Sequence, residues 1–213
     1  MKKRSFYPEI LFYVMTVISL SMVSCNNSSD SGSSTADTSQ ATPADSANKM
    51  NMPADTATVR TEAMVGHAEA MLAGTYPDTA VNGTLKFDTA KGKVKMKLEI
   101  TIPAKANKSI AVHIHEHGDC ADTAKMAHGH WNPTNAQHGK WGSASFHSGD
   151  IGNVKLDAKG KGTLTLETDL WTLGGDPKTN ILGKSIIVHG GMDDYKTQPS
   201  GNSGSRIGCG VIH

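Results

Sequence analysis

The sequence predicts an all-β domain, built as a sandwich or a barrel, over residues 63–213. Residues 94–102 alternate apolar and polar side chains, and further short apolar runs are separated by Gly, Asp, Lys and Pro turn signals. No segment has a sustained 3.6-residue apolar period of helical length. Because alternation with a period of two buries one face of a strand and exposes the other, these patterns favour β structure.

The first 24 residues are predicted to be a signal peptide. Positions 2–4 are basic, and residues 10–23 form a largely apolar run. This run is shorter than the roughly 20 residues that a membrane-spanning helix needs. It therefore predicts export of the chain rather than a transmembrane anchor.

Residues 21–25, SMVSC, resemble a bacterial lipoprotein lipobox, so we expect cleavage before Cys25 and lipid on Cys25. Several acyl chains would hold the chain at a membrane of the bacterial cell envelope, since one chain binds only marginally. Asn26, rather than aspartate, after the cysteine favours the outer membrane, and a periplasmic or a surface-facing orientation is left open. The alternative is an ordinary cleavable signal with an incidental cysteine.

Residues 25–62 are predicted to be the lipidated N-terminus and a disordered linker. They are mostly Ser, Thr, Ala, Asp and Asn, with almost no large apolar side chains. Such a segment cannot bury enough surface to offset the entropy of ordering it.

Within residues 63–213, alternating or apolar runs predict six strands. They are residues 84–87, 94–102, 110–115, 162–170, 185–190 and 206–212. On the strand 94–102, the apolar side chains of Val94, Met96 and Leu98 point one way and the lysines between them the other. The formal net charge of +1 argues against nucleic acid as a partner, because such binding needs a basic surface.

The strand 110–115 carries an unusual pair of imidazoles. His113 and His115 alternate with Val112 and Ile114, so the two histidines share one face. They are either metal ligands or polar surface residues opposite a core-facing stripe. Six of the ten histidines lie between positions 113 and 138. Because neutral imidazole suits zinc, copper, iron and nickel, this cluster with a nearby carboxylate predicts a site for copper, zinc or both.

Six motifs, taken in order, resemble those of the copper/zinc superoxide dismutase family. They are HIHEHGDC, GHWNP, QHGK, FHSGDIGNV, IIVHGGMDD and GNSGSRIGCGVI. The resemblance covers residues 63–213. It implies a Greek-key β-barrel or sandwich of about eight antiparallel strands with long metal-binding and electrostatic loops. It leaves open whether the chain forms a homodimer, since dimer surfaces differ within the family.

The resemblance implies one copper and one zinc per subunit, with His130 bridging the two ions. The implied copper ligands are His113, His115, His130 and His189. The implied zinc ligands are His130, His138, His147 and Asp150. Asp193 resembles the family's carboxylate that accepts hydrogen bonds from one copper ligand, His113, and one zinc ligand, His138. The remaining histidines, at positions 67, 117, 128 and 213, are expected to be solvated or to support the ligands.

The resemblance also implies the activity, which is dismutation of superoxide to dioxygen and hydrogen peroxide through a copper redox cycle that protects the cell envelope. Arg206 would attract the superoxide anion, and His130 would carry a proton. Cys120 and Cys209 would form the family's disulfide, which an oxidising compartment allows. The alternative function is a non-enzymatic copper and zinc buffer of the envelope. A purely structural β-sandwich is a third, weaker alternative.

Overall fold

The computed structural model describes residues 63–213. The predicted signal peptide, residues 1–24, and the predicted linker, residues 25–62, lie outside the described residues, as does Cys25. The strands are β1 (His67–Gly74), β2 (Asn82–Ala90), β3 (Lys93–Thr101), β4 (Ser109–His115), β5 (Gly152–Lys155), β6 (Lys161–Thr168), β7 (Ser185–His189) and β8 (Arg206–Val211). The helical turns are Pro103–Lys105, α1 (Ala121–Ala124) and Lys125–Ala127. Among these residues, none belongs to a helix with the length and apolarity that a membrane crossing requires.

The eight strands form one antiparallel sheet in the order β5-β4-β7-β8-β1-β2-β3-β6. The edge strands β5 and β6 lie against each other, so the sheet curls into a nearly closed barrel. Gly162 on β6 permits this approach, because a Cβ there would lie 2.6 Å from the side chain of Leu156 and 2.8 Å from that of Val154. Pairing between strands that are distant in sequence, such as β4 with β7, gives Greek-key connections. The predicted fold is confirmed.

The barrel interior follows the alternation of β3. Val94, Met96, Leu98 and Ile100 are at most 3% exposed, while the lysines between them face solvent. Each fully buried aliphatic side chain of this kind contributes about 1.5–3 kcal/mol to folding. Phe87 packs edge-on against Trp171, with ring centroids 6.4 Å apart. The period-two interpretation of residues 94–102 therefore holds, although the strand itself is Lys93–Thr101.

Two strands were not predicted, and two of the six predicted strands differ from the observed ones by two or more residues at an end, while the other four differ by one. β1 buries Ala68, Ala70 and Leu72, and two of these three side chains are too small to give a strong apolar signal. β5 has only four residues. β2 extends well beyond the predicted residues 84–87 because it pairs along its length with β3, through a tight turn with positive φ at Lys91 and Gly92. β6 ends at Thr168 rather than at the predicted position 170.

Two long connections cover the outer face of β4. The connection between β4 and β5 hydrogen-bonds to it through Ile114, whose N–H donates to the Gly149 carbonyl at 2.9 Å and whose carbonyl accepts from the Trp131 N–H at 2.9 Å. The connection between β7 and β8 adds a bond from the Ala111 N–H to the Gly191 carbonyl at 2.8 Å. As a result, β4 is buried on both faces.

Candidate metal centre

The paired histidines of β4 face away from the barrel core into the space enclosed by the two long connections. His113 is 0% exposed and His115 is 1% exposed. They are therefore not surface residues, and the alternative interpretation of this pair is wrong. A buried imidazole nitrogen needs a hydrogen-bond partner or a metal ion to replace lost water.

Neighbouring elements bring two more imidazoles to this pair. β7 pairs with β4 and ends at His189, whose ring centroid lies 4.9 Å from that of His113. His130 forms an isolated bridge with His115, and its ring centroid lies 4.0 Å from that of His113. One ring nitrogen from each of the four histidines lies within 4.8 Å of the others. The structure thus brings together all four residues expected to bind copper.

Within residues 63–213, each ring of this first cluster has one nitrogen with a hydrogen-bond partner and one without. The partnered nitrogens face Asp193, the His128 carbonyl, Asp150 and the Gly204 carbonyl, respectively, for His113, His115, His130 and His189. The buried nitrogens without a hydrogen-bond partner are Nδ1 of His113 and Nε2 of His115, His130 and His189. Four buried, unpartnered imidazole nitrogens fit a copper ion, which favours nitrogen donors.

Asp150 gathers a second cluster of imidazoles around its carboxylate. Its Oδ1 lies 2.8 Å from Nδ1 of His130 and 3.1 Å from Nδ1 of His147, and its Oδ2 lies 3.0 Å from Nδ1 of His138. Backbone N–H groups of Gly139 and His147 donate to Oδ2 and fix the carboxylate. Three imidazoles and one carboxylate form a donor set that suits a closed, tetrahedral zinc site.

His130 belongs to both clusters. Its Nδ1 faces Asp150 in the second cluster, while its Nε2 is buried and unpartnered beside His113 and His115. A single imidazole ring can donate through both nitrogens to two ions once it has lost both protons. The geometry therefore suits a bridging ligand at this position.

Burial and charge set the protonation of the clusters. Burial lowers the pKa of His130 to about 4 and that of His189 to about 3, so these rings are neutral and available to a metal at pH 7. Burial alone would lower the pKa of His138, but hydrogen bonds to Asp150 and Asp193 outweigh it and raise that pKa to about 9. Burial would raise the pKa of both carboxyls, yet their hydrogen bonds with histidines hold it well below its usual range.

Asp193 connects the two clusters. Its Oδ2 accepts from Nε2 of His113 and its Oδ1 from Nε2 of His138, each at 2.9 Å. Asp193 is 1% exposed. Such a carboxylate fixes the tautomer of each ring, so that Nδ1 of both histidines faces a metal position.

Three further residues hold this arrangement, and sequence reasoning did not identify them. The Asn153 side chain accepts from the Asp193 N–H and donates to the Asp193 carbonyl, both at 2.9 Å. Gln198 pairs in the same two-bond way with the backbone of His138. Gly201 has φ +66°, and a Cβ there would overlap both Asp193 and Nε2 of His138. A local pattern could not reveal the roles of Asn153 and Gln198, because they lie 40 and 60 residues from their partners.

Arg206 stands at the start of β8, paired with His189 across the ladder. Its guanidinium donates to the Ala124 carbonyl at 2.5 Å and to the His128 carbonyl at 2.6 Å. Its positive charge adds to the burial that lowers the pKa of His115 and His189. Arg206 therefore supplies a fixed positive charge beside the first cluster.

A disulfide joins Cys120 to Cys209 on β8. It ties β8 to the segment whose Ala124 and His128 carbonyls accept hydrogen bonds from Arg206. Cys209 lies three residues after Arg206, and Cys120 directly precedes α1. Cys209 packs with Ala124, Ala127 and Ile187 in a small apolar cluster. The expected disulfide is present, and it steadies the two carbonyl acceptors of the guanidinium.

The fold and these clusters define a class: β-barrel proteins with a paired-metal centre that shares one histidine. A family model described as copper/zinc superoxide dismutase (SODC) matches residues 81–212. The chain belongs to the copper/zinc superoxide dismutase family. Copper and zinc are the cofactors that this family implies, and both clusters fit them.

Individual relatives agree with this assignment. Superoxide dismutase [Cu-Zn] 2 of Aquifex aeolicus is 40% identical over 107 residues, which are 48% of this chain and 63% of that protein. Superoxide dismutase [Cu-Zn] of Paramecium bursaria Chlorella virus 1 is 37% identical over 138 residues, or 62% of this chain and 72% of the relative. A crystal structure of the clock protein EA4 matches with a TM-score of 0.61 and 30% identity, covering 70% of this chain and 95% of EA4.

Proposed function

We propose that this chain is a superoxide dismutase, which converts two superoxide anions and two protons into dioxygen and hydrogen peroxide. The observation that carries the proposal is His130, whose two nitrogens face two different clusters of metal ligands. A protein that only stores metal ions needs neither a shared imidazole nor a fixed arginine beside one cluster. The activity named in the relatives supports the same conclusion.

The two clusters give the two metals different roles. The first would hold copper through His113, His115, His130 and His189. The second would hold zinc through His130, His138, His147 and Asp150. Copper, when bound, supplies the exchange of one electron, which the first superoxide loses as it becomes dioxygen and the second gains as it becomes peroxide. Zinc has one stable oxidation state, so its role is to hold and orient His130.

His130 carries a proton to the product at Nε2. This nitrogen is buried and has no hydrogen-bond partner in the described residues, whereas Nδ1 is held by Asp150 at 2.8 Å. The peroxide formed from the second superoxide needs two protons to leave as hydrogen peroxide. One comes from Nε2 of His130 and the other from water. Because the Nδ1 side of the ring is fixed within the second cluster, Nε2 keeps its direction toward the first cluster while it gains and loses the proton.

Arg206 guides the substrate. Its guanidinium is half-buried and held by two carbonyls, so it presents a permanent charge in one position. The formal net charge of the chain is only +1, which is too small to draw in an anion at long range. Attraction of superoxide therefore depends on this local charge, focused by the low-dielectric walls around it.

The protein acts in the bacterial cell envelope, where it protects against superoxide. The support is the sequence alone: the predicted signal peptide of residues 1–24, the lipobox that would place lipid on Cys25, and the polar linker of residues 25–62. The linker would let the barrel, alone or as a homodimer, stand away from the outer membrane. Mass spectrometry of the protein from bacterial membranes would show diacylglycerol on Cys25, and a free, unmodified cysteine would contradict the anchor.

The direct test is the rate of superoxide decay. The protein loaded with one copper and one zinc per subunit is compared with the same protein holding zinc alone. We expect copper-dependent decay approaching the diffusional ceiling, about 10⁸–10⁹ M⁻¹s⁻¹. No copper-dependent decay in a sample that retains both metals would reject the dismutase and favour the envelope copper and zinc buffer.

A further inference from the structure

A third group of metal-ligand side chains lies on the surface, outside the two buried clusters. Glu116, His117 and His128 are all exposed, and one ligand atom from each lies within 4.8 Å of the other two. The rings of His117 and His128 are nearly perpendicular, with centroids 4.4 Å apart. None of these three residues is a member of either buried cluster.

Backbone hydrogen bonds hold the two segments that carry this group. The Glu116 N–H donates to the Gly129 carbonyl at 3.1 Å, and the His117 N–H donates to the Ala127 carbonyl at 3.2 Å. Together they clamp the end of β4 to the segment that leads to His130. The three side chains are thus brought together by the backbone before any ion binds, which lowers the entropy that an ion would have to remove.

His128 has a backbone conformation that is unusual for a residue with a side chain. Its φ of 61° and ψ of −142° belong to a region that glycine adopts readily and other residues rarely. The carbonyl of His128 accepts from Nδ1 of His115 and from Arg206, and glycine would supply that carbonyl without strain. The buried centre therefore explains the backbone of His128 but not its imidazole.

We propose that Glu116, His117 and His128 form a third, exposed binding site for a divalent transition-metal ion, Zn²⁺ or Cu²⁺. Two imidazoles and one carboxylate are a known three-ligand set for zinc, in which water completes the coordination. With three exposed ligands the site binds more weakly than the buried clusters.

The position of the site ties it to the buried centre. The peptide of His128 presents its carbonyl inward to His115 and Arg206, while its ring stands in solvent beside His117. An ion at the third site would therefore bind the side chain of the same residue whose carbonyl accepts from a copper ligand, His115, and from the guanidinium of Arg206. The inference does not depend on catalysis, because it concerns the binding of a third ion.

The test is a titration of Zn²⁺ into the protein that already holds one copper and one zinc, followed by calorimetry and by competition with a chromophoric chelator. The wild type should bind a third equivalent. His117→Gln, Glu116→Gln and His128→Gly should each weaken this third equivalent at least tenfold and leave the first two metals in place. Glycine suits the backbone at position 128, so that variant keeps the fold. His67→Gln removes another exposed histidine and should change nothing.

A spectroscopic measurement separates this site from nonspecific binding. Cu²⁺ added as the third equivalent should give an electron paramagnetic resonance signal with coupling to two imidazole nitrogens, and the coupling should fall in the His117 and His128 variants. The proposal is overturned if the wild type binds only two ions. It is equally overturned if the three variants bind the third ion as tightly as the wild type.

Discussion

Asp193 accepts a hydrogen bond of 2.9 Å from Nε2 of His138, and both side chains are fully buried. Its second oxygen does the same for His113. Asparagine has a single acceptor oxygen and can serve one ring N–H only. We expect Asp193→Asn to lower the affinity for zinc, and for copper, by about 10–100-fold, as measured by chelator competition.

The neighbouring carboxylate provides the control for this change. Asp194 is exposed, and its carboxylate accepts hydrogen bonds from Lys196 and Thr197 rather than from a metal ligand. Asp194→Asn should therefore bind both metals as the wild type does. If Asp193→Asn also kept wild-type affinity for both metals, the carboxylate would not be a positioning residue.

Zinc binding to the metal-free protein should release a proton from His138. The pKa of His138 is raised from 6.5 to about 9 by Asp150 and Asp193, which outweigh burial, so the ring is protonated at pH 7.5 and zinc must displace that proton. The apparent zinc affinity should rise about tenfold per pH unit between pH 7 and pH 9 and level off above it. Calorimetry in two buffers of different ionisation enthalpy measures the release, and pH-independent affinity would refute it.

Removal of the guanidinium should slow the capture of superoxide. Arg206→Gln is expected to lower the bimolecular rate about tenfold or more and to flatten its dependence on ionic strength, because local positive charge accelerates anion encounter. Lys95→Gln removes the same charge from the exposed face of β3 and should have little effect. Equal salt dependence in the two variants would show that Arg206 does not guide the substrate.

His130→Ala should retain the barrel but lose the bridge. We expect superoxide decay to fall about 100-fold, the usual scale for loss of a general acid. The rate is measured in protein whose copper and zinc content has been verified, with His67→Ala as the control for removal of an exposed histidine. A rate near that of the wild type with both metals bound would eliminate His130 as the proton carrier.

The disulfide should stabilise the folded state mainly by reducing the conformational entropy of the unfolded chain. Closing a loop between residues 89 apart stabilises the folded state by about 4.6 kcal/mol in the chain-entropy treatment. Cys120→Ser/Cys209→Ser should lower the free energy of unfolding by a similar amount in urea. The wild type under reducing conditions should match the double variant. A decrease of less than about 2 kcal/mol in the free energy of unfolding would contradict this prediction, because native disulfides usually contribute more.

The sequence alone predicted the all-β class, because the alternation of β3 is determined locally: each residue's neighbours decide which face it takes. The same logic placed His113 and His115 on one face of β4. The motifs then named the residues that the structure gathers into two clusters. The strands β1 and β5 escaped prediction, since small residues and short length weaken a periodic signal.

Tertiary structure decided what no local pattern contains. Which nitrogen of each histidine is free depends on partners elsewhere in the chain, such as Asp193 for His113 and the His128 carbonyl for His115. The need for glycine at position 201 arises only where a later loop meets Asp193 and His138. The surface group of Glu116, His117 and His128 likewise exists because backbone hydrogen bonds join two segments. The sequence shows which side chains can bind a metal ion. Whether they come together depends on how the loops pack, and contacts across the whole barrel fix that packing.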